Sequence, residues 1–415
     1  MNFFARLKKP LLILGFLILV ALVGYLIWRL FFRPEPITLP GTDTPGMSGN
    51  LPTAGPNAST SEEITGPGNF PIGSESNGTG APNPNEPNPL AVGGLTKTTL
   101  ITDVPTLNPT LSSSGGVQYY NKNDGHFYSL NADGEVVALS SKVFHDVDRV
   151  VWAPDKNQAI IEYPDGNKIL YNFQTEKQVT LPTHWEDFSF SPDSTQISSK
   201  SIGLDVENRW LMVSSSDGSK AQALENLGVN ANTVISSWSP NNQTVAMYTK
   251  GVDFDRQEIF FVGLNGENFK STIIEGRGLE SQWSTSGDRL LYSVYHTRDN
   301  LNPRLWIVDA QGDSIGQNRQ SLELATWASK CTFANNTEIY CAVPDYLEQG
   351  SGLFPELADK TKDSLYKIDL TTGSKKLIAV PDGTYNISQI MVPSSENYLY
   401  FTDKTTQQIY QVQLK

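Results

Sequence analysis

One short motif recurs seven times between Leu111 and Met391, and it constrains the fold more than any other feature of this chain. Each copy has a large apolar residue, then a small turn rich in Ser, Thr, Asn or Asp, then a run of strand-forming residues. The copies begin at Leu111, Trp152, Phe190, Trp238, Trp283, Phe333 and Met391. A repeat of roughly forty to fifty residues indicates a fold assembled from blade-like units.

Within each copy, the residue types predict four short strands. Pro in the turn fixes φ, and Ser, Asp or Asn side chains bond to the backbone just beyond, which favours a tight turn. Strand-forming runs follow at 159–163, 244–248 and 290–294, and a third run with period-two alternation begins at residues such as Arg304. A fourth, weaker run completes each unit, as at 177–181. Seven such units predict an all-β, seven-bladed β-propeller.

The turn sequences also resemble those of a known family. Phe190-Ser-Pro-Asp and Trp238-Ser-Pro-Asn, each followed by an apolar strand and then an alternating strand that ends near a Gly, are similar to the WD40-like (PD40) repeat of TolB-type propellers. The resemblance covers residues 95–415. It implies the fold and no single function, since such propellers act as scaffolds, ligand binders and occasionally enzymes. Leu111 and Met391 replace the aromatic residue in the terminal copies, which leaves six or eight blades as alternatives.

The last unit is short of one strand. After Met391, strands are predicted at 398–402 and 408–414, and no fourth strand follows. An unassigned strand-like run lies upstream of the first unit, at 95–102. We expect this run to supply the missing outer strand of the last blade. The ring would then be latched between its two ends, with no long edge left open.

The N-terminus carries a second strong signal. Residues 11–32 are almost wholly apolar apart from Arg29. This segment is long enough to cross a bilayer core of about 30 Å. Residues 1–10 contain Arg6, Lys8 and Lys9 and no acidic residue. The positive-inside bias therefore predicts a cytoplasmic stub at 1–10, a transmembrane signal-anchor helix, and a propeller outside the cytoplasm, in the periplasm or at the cell surface. A cleaved signal peptide is the alternative, although no small-residue cleavage site follows the apolar run.

A linker is predicted between the anchor and the propeller. Residues 33–94 are rich in Pro, Gly, Asn, Ser and Thr, and they contain too little apolar surface to offset the entropy of ordering. We interpret the segment as a disordered tether that holds the propeller off the membrane. A small accessory folded domain is the alternative.

Charge limits the range of partners. The chain has a formal net charge of −13, although the anchor region is basic, so the remainder is distinctly acidic. This argues against nucleic acid and anionic lipid as main partners. A protein or an envelope polymer is the expected partner, besides the membrane that the N-terminal helix contacts. No cofactor is expected, and a divalent cation bound by the acidic loops is the alternative.

The two cysteines, Cys331 and Cys341, flank the turn that follows Phe333. On a simple hairpin register they lie directly opposite each other, which suits a disulfide if the pair is of the close, non-hydrogen-bonded kind. Export from the cytoplasm would favour oxidation. Two buried thiols are the alternative, and without a nearby His or Cys the pair makes a poor zinc site.

Catalytic motifs are missing from the sequence. It has no Gly-x-Ser-x-Gly elbow, P-loop, His-Glu-x-x-His or Rossmann glycine fingerprint. The candidate site is instead a set of long, charged loops that enter blades or join second and third strands, all expected on one face around the channel mouth. The candidate binding residues are His145, Asp146, Asp148, His184, Glu186, Asp187, Asp253, Asp255, Arg256, Arg277, His296 and Arg298. The alternative for each is a turn cap or a rim ion pair.

Three functions are compatible with these features. The first is a membrane-anchored, non-catalytic scaffold that binds a protein or an envelope polymer. The second is a metal-dependent lyase or hydrolase, which requires His145, His184 and His296 to converge. The third is a surface or periplasmic sensor. The largest insertion, 344–363, is expected on the same face, and Leu353, Phe354 and Leu357 would either pack it down or offer an apolar contact to a partner. An ordinary surface excursion is the alternative.

Overall fold

The computed structural model describes Leu22 and residues 86–131, 134–267 and 269–415. The described residues from 86 onward belong to one compact unit. The anchor helix predicted at 11–32, apart from Leu22, and most of the predicted linker lie outside this described part. Among the residues that are described, no helix combines the length and the hydropathy needed to span a bilayer.

Seven sheets make up the domain, and each is built on an antiparallel meander of three or four strands in chain order, so the seven-bladed propeller is confirmed. The first four blades contain β3 to β6 (Thr106–Leu111, Val117–Asn121, Phe127–Leu130, Val136–Ala138), β7 to β10 (Arg149–Trp152, Gln158–Glu162, Lys168–Asn172, Lys177–Leu181), β11 to β14 (Trp185–Phe190, Gln196–Ile202, Arg209–Ser215, Gln222–Asn226) and β15 to β18 (Val234–Ser236, Thr244–Gly251, Arg256–Gly263, Thr272–Glu275).

The remaining blades complete the ring. They contain β19 to β22 (Arg277–Trp283, Arg289–Tyr295, Pro303–Asp309, Gln320–Ser321), β23 to β26 (Cys331–Phe333, Glu338–Pro344, Asp363–Asp369, Lys375–Pro381) and β27 to β29 (Ile387–Met391, Tyr398–Asp403, Ile409–Gln413). Short 3-10 helices lie in the loops, at Val206–Asn208, Gly228–Thr233, Thr297–Asp299, Gly312–Ser314, Ala328–Lys330 and Pro355–Ala358.

The repeated apolar residue has the same place in every blade. It is the last residue of the first strand in six blades, and in blade four Trp238 follows β15 by two residues. The turn that follows is closed by side chains, as predicted. In blade three, Asp193 accepts hydrogen bonds from Ser191 Oγ at 2.6 Å and from the Thr195 backbone N–H at 3.1 Å. The second strand of blade one, β4, is buried along its whole length, because neighbouring blades cover both of its faces.

The first strands line up around the channel and are joined by side-chain hydrogen bonds. Asn108 Oδ1 in β3 accepts from the Val150 N–H in β7 at 2.9 Å, and Asp187 Oδ2 in β11 accepts from the Ser236 N–H in β15 at 2.8 Å. Gln389 in the last blade donates to the Pro109 carbonyl in the first at 3.1 Å. The ring is therefore closed at its inner edge as well as by the outer strands.

The N-terminal run contributes outer strands to two blades, whereas the sequence predicted a contribution to one. One part of the run at 95–102 forms β2 (Thr99–Leu100), which pairs antiparallel with β29 and supplies the fourth strand of blade seven. In β1 (Leu95–Thr96), however, it pairs parallel with β26 and adds a fifth strand to blade six. Assigning the whole run to the last blade was wrong, because the chain crosses from one blade to the next between Thr96 and Thr99.

A hydrogen-bonded connection holds this crossing in place. Thr98 donates from its backbone N–H to Asp382 Oδ1 at 3.1 Å, and its hydroxyl donates to the same oxygen. Further upstream, the Ala91 N–H donates to the Gln413 carbonyl at 2.9 Å. The segment from residue 88 to residue 100 therefore connects the outer edges of blades six and seven.

Cys331 and Cys341 lie directly opposite each other in the register of β23 and β24. Their sulfur atoms form a disulfide. The bond joins the two innermost strands of blade six at the end that faces the loops described next.

Candidate functional site

The loops that enter blades and the loops that join second to third strands lie at the same end of the strands, because each blade is an antiparallel meander. We call this side the loop face. All twelve residues chosen from the sequence are on or beside these loops. The recesses on the loop face include one over blades two to four and one over blades five to seven.

The first recess, which we call the charged groove, has a volume of about 570 Å³. It brings together three of the predicted residues, Asp148, Glu186 and Asp187. Charged side chains of both signs line the rest of it, together with Tyr163 and parts of β15. The charged residues of the lining are Asp148, Arg149, Glu162, Lys168, Glu186, Asp187 and Lys200.

Most of the positive charge in the groove is already used. Lys168 Nζ donates to the carbonyls of Gly166 and Thr183 at 2.9 and 3.0 Å. Lys200 Nζ donates to the Val234 carbonyl at 3.0 Å and lies 3.3 Å from Asp187 Oδ2. These ammonium groups connect neighbouring blades, since Thr183 lies on the entry to blade three and Val234 lies in the first strand of blade four. They are therefore poorly placed to bind a ligand.

The carboxylates of the groove differ from one another. Asp148 and Glu186 are exposed, and their side chains make no hydrogen bond or ion pair within the described part of the chain. Glu162 is more enclosed, and its Oε1 is buried without a hydrogen-bond partner, 3.8 Å from Arg149 Nε. Burial raises the pKa of Glu162 above its usual range, and the charge of Arg149 opposes this shift. The groove therefore offers two free carboxylates at its rim.

Asp187 has a structural role that the sequence did not reveal. It lies at a β-bulge in β11 with φ of 57°, a left-handed conformation that Asp and Asn tolerate better than most residues. Asn108 occupies the corresponding bulge in β3 with φ of 42°. Both side chains accept from the backbone of the next blade's first strand. Asp187 therefore connects two blades, and its contribution to ligand binding is secondary.

Four of the predicted residues form a network between blades four and five. Arg256 donates to Asp253 Oδ2 from Nε at 2.7 Å, and this bond holds the pKa of Asp253 below its usual range. Asp255 accepts from Thr297 Oγ1 at 2.7 Å, which lowers the pKa of its carboxyl. Arg277 donates to the Asp253 carbonyl at 2.6 Å, completing the bridge.

Arg298 extends the same network by pairing with Glu275 at 2.7 Å. The interpretation as rim ion pairs and turn caps therefore accounts for the observed contacts of these side chains. Nothing in these contacts requires a ligand.

The histidines do not form a common site. His145 and His184 are exposed and have no side-chain partner in the described residues, as is also the case for Asp146. His296 Nδ1 accepts from the Arg298 N–H at 2.9 Å and lies 3.8 Å from Asp255. Across residues 86–131, 134–267 and 269–415, no group of three or more His, Cys, Asp or Glu side chains is placed to hold a metal ion. The convergence that the lyase or hydrolase alternative requires is therefore not observed there.

The second recess was not anticipated from the sequence. Its volume is about 170 Å³, and Trp327, Pro355 and Ala358 form its apolar part. Beneath it, Lys330 Nζ donates to both oxygens of Asp363 at 2.9 and 2.8 Å, and the two residues are only 8% and 2% exposed.

The surroundings of this buried pair are fully bonded. Lys330 also donates to Asn386 Oδ1 at 3.1 Å, and Asp363 accepts from the Ile387 N–H at 2.6 Å. Burial lowers the pKa of Lys330, while the carboxylate of Asp363 opposes that shift. The pair ties the entry to blade six, the end of the insertion and the start of blade seven together. Its only sequence signal was that Asp363 ends the longest insertion.

The insertion lies where the sequence placed it, between β24, which ends at Pro344, and β25, which begins at Asp363. We call residues 345–362 the blade-six loop. It contains one short 3-10 helix, and its largest apolar side chains are exposed to solvent: Tyr346, Leu353, Phe354 and Leu357. These side chains are therefore not packed down onto the blade, and both an apolar contact to a partner and an ordinary surface excursion are compatible with this exposure.

No family model matches the chain, and no curated protein matches it. Solved structures do. An oligogalacturonate lyase from Vibrio parahaemolyticus is 10% identical with a TM-score of 0.50, covering 77% of this chain and 93% of that one. A prolyl endopeptidase structure is 12% identical with a TM-score of 0.50, covering 76% and 49%. The propeller domain of Cps50 (Swd1) from Myceliophteria thermophila is 12% identical with a TM-score of 0.49, covering 77% and 100%. At these identities the likeness to the lyase and the endopeptidase shows the β-propeller fold and nothing finer.

Proposed function

We propose that this propeller is a non-catalytic binding scaffold and that its loop face contacts a protein partner. The observation that carries the proposal is the set of large apolar side chains that stand exposed on the loops of that face. They occur in blades three, four and six and on the entry to blade four: Leu204, Val206, Val229, Val252, Phe254, Tyr346, Leu353, Phe354 and Leu357. Exposed apolar side chains also occur on outer strands, as at Val136, Val179 and Ile273, but those on the loops of one face can be buried together by one partner, as is typical of interaction sites.

The loops that carry these side chains are held by hydrogen bonds and ion pairs. Phe254 is 69% exposed, yet it lies between Asp253 and Asp255, which are both fixed by the blade four to blade five network. A preorganised loop loses little conformational entropy when a partner binds. Apolar tips also favour a protein over a polar envelope polymer, since burying them is what drives association.

We further propose the setting that the sequence predicts: a TolB-type propeller anchored by residues 11–32 and exposed outside the cytoplasm, without a resident cofactor. The Cys331–Cys341 disulfide supports this proposal, because such bonds persist mainly in oxidising compartments. Protease added to intact cells should digest the propeller once any outer membrane is permeabilised, while a cytoplasmic control protein survives. Protection equal to that of the control would refute the location and leave the binding proposal standing.

Site-specific crosslinking tests the binding proposal. A photoreactive amino acid would replace Leu204 or Phe254 on the loop face, and Asp217 or Thr372 in turns at the opposite end of the strands, in the full-length chain. One protein should crosslink from both loop-face positions and from neither opposite-face position. Equal crosslinking from the two faces, or crosslinking only from Asp217 and Thr372, would overturn the proposal.

A further inference from the structure

The blade-six loop is fixed to both neighbouring blades. On one side, the N–H groups of Gly350 and Gly352 donate to the carbonyls of Asn300 and Leu301, each at 2.8 Å. On the other side, Asn386 Nδ2 donates to the Ala358 carbonyl at 3.2 Å. The loop bridges blades five and seven, and the buried pair of Lys330 and Asp363 lies at its base. It is therefore a built element of the loop face.

Three apolar side chains project from this fixed element within five residues. Phe354 is 53% exposed, and Leu353 and Leu357 are 42% and 38% exposed. A mobile loop could turn such side chains inward, but here the backbone bonds on either side hold them in solvent. Aromatic side chains such as Phe354 are enriched in the buried core of protein interfaces.

The recess of about 170 Å³ lies directly beside these projections. Pro355 and Ala358 of the loop form one wall, and Trp327 contributes a further apolar surface. The positive charge of Lys330 beneath it is neutralised by Asp363. The rest of the lining is polar: Glu280, Ser329, Asp359, Asn386, Ser388 and Lys404. An apolar projection next to a recess with one apolar wall is compatible with the interlocking surfaces of specific interfaces, where side chains of each partner fill pockets in the other.

The charges around the projections are mostly negative. The blade-six loop has four acidic residues (Asp345, Glu348, Glu356 and Asp359) and two basic ones (Lys360 and Lys362), a net charge of −2. Asp345 pairs with Lys362 at 3.5 Å, and Asp359 pairs with Lys404. Glu348, Glu356 and Lys360 have no side-chain partner among the described residues, so two free negative charges face one free positive charge. These free carboxylates flank the apolar side chains and favour a basic rim on the partner.

From these contacts we propose that the blade-six loop is the principal docking surface and that its partner presents an amphipathic helix with basic residues beside its apolar stripe. A helix offers apolar residues as a continuous stripe with long cationic side chains at its margins. The inference rests on the proposed function and specifies both the position on the loop face and the chemistry of the partner.

Two synthetic helical peptides with the same leucine stripe provide the test, one with lysine and one with glutamate on the polar face. Fluorescence anisotropy with the full-length protein should show the lysine peptide binding at least about tenfold more tightly, with the difference shrinking as salt increases. Leu353→Ser/Phe354→Ser should weaken the lysine peptide by about tenfold or more. Glu348→Gln/Glu356→Gln should reduce the preference for lysine over glutamate.

The matched control is Val136→Ser/Val137→Ser on the outer strand β6 of blade one, where the two side chains are 50% and 53% exposed. It should leave binding unchanged, and circular dichroism should show that every variant is folded. Equal affinity for both peptides, or an equal loss in the control, would overturn the inference.

Comparison with a second loop-face variant separates this inference from the proposed function. If Leu204→Ser/Phe254→Ser abolishes binding while Leu353→Ser/Phe354→Ser does not, the scaffold proposal survives and the blade-six docking surface is wrong. If neither variant affects the peptides and crosslinking does not favour the loop face, both proposals fail.

Discussion

The charged groove and the recess over blades five to seven differ in how their charged side chains are used. In the charged groove over blades two to four, ion pairs and backbone acceptors use most of the charged side chains. Beside the recess over blades five to seven, the principal charged pair is buried at the base and apolar side chains stand in solvent. The difference shows that charge on propeller loops serves chiefly to join blades here, whereas exposed apolar side chains have no such internal use.

Removing one partner of the buried pair should give the largest effect on stability. Lys330→Met leaves Asp363 buried without its cation, and the free energy of unfolding should fall by about 3–5 kcal/mol in a urea titration. Lys404→Met, which breaks the exposed pair with Asp359, is the matched control and should cost at most about 1 kcal/mol. Equal losses would mean that the buried pair contributes no more to stability than an exposed ion pair.

A smaller loss is expected at the blade connection in the charged groove. Asp187→Ala removes the acceptor for the Ser236 N–H and places Ala at φ of 57°, which should cost about 2–3 kcal/mol in the same titration. Asp187→Asn should cost much less, because Asn108 makes the corresponding bond in blade one. If Asp187→Asn is as damaging as Asp187→Ala, the role of the bulge is wrong.

The smallest effect concerns pH. Because burial raises the pKa of Glu162 in the folded state, that state binds the proton more tightly than the unfolded chain. The contribution of protonated Glu162 to stability is therefore fully present below its pKa in the unfolded chain, and it is lost as pH rises through its pKa in the folded state. Glu162→Gln should raise the free energy of unfolding at neutral pH by at most about 1 kcal/mol and flatten this dependence. Glu186→Gln, at an exposed and unpaired carboxylate, should change neither quantity.

The sequence was sufficient for the repeating part of the fold. Residues such as Phe190 and Trp283 mark the end of a first strand because each blade needs the same apolar contact and the same turn at that point. The path of the N-terminal run was not predictable in the same way. Two-residue strands at Leu95 and Thr99 contain no period that specifies a partner, and their pairing depends on which blade edges remain open.

The candidate site was predictable only in its position on the loop face. Charge drew attention to residues such as Asp253 and Arg277, whose bonds to each other depend on how blades four and five meet. Lys330 and Asp363 are 33 residues apart in the sequence, so no local pattern identifies them as a pair. The role of Asp187 likewise depends on a bulge whose presence only the register of β11 and β12 shows.

One affinity comparison tests the central claim most directly. Binding of the lysine peptide would be measured for Leu353→Ser/Phe354→Ser and for Asp148→Ala/Glu186→Ala, which removes the two free carboxylates of the charged groove. The apolar variant should lose at least about tenfold in affinity while the groove variant stays within about twofold of wild type. The reverse pattern would contradict the account and make the charged groove the binding site.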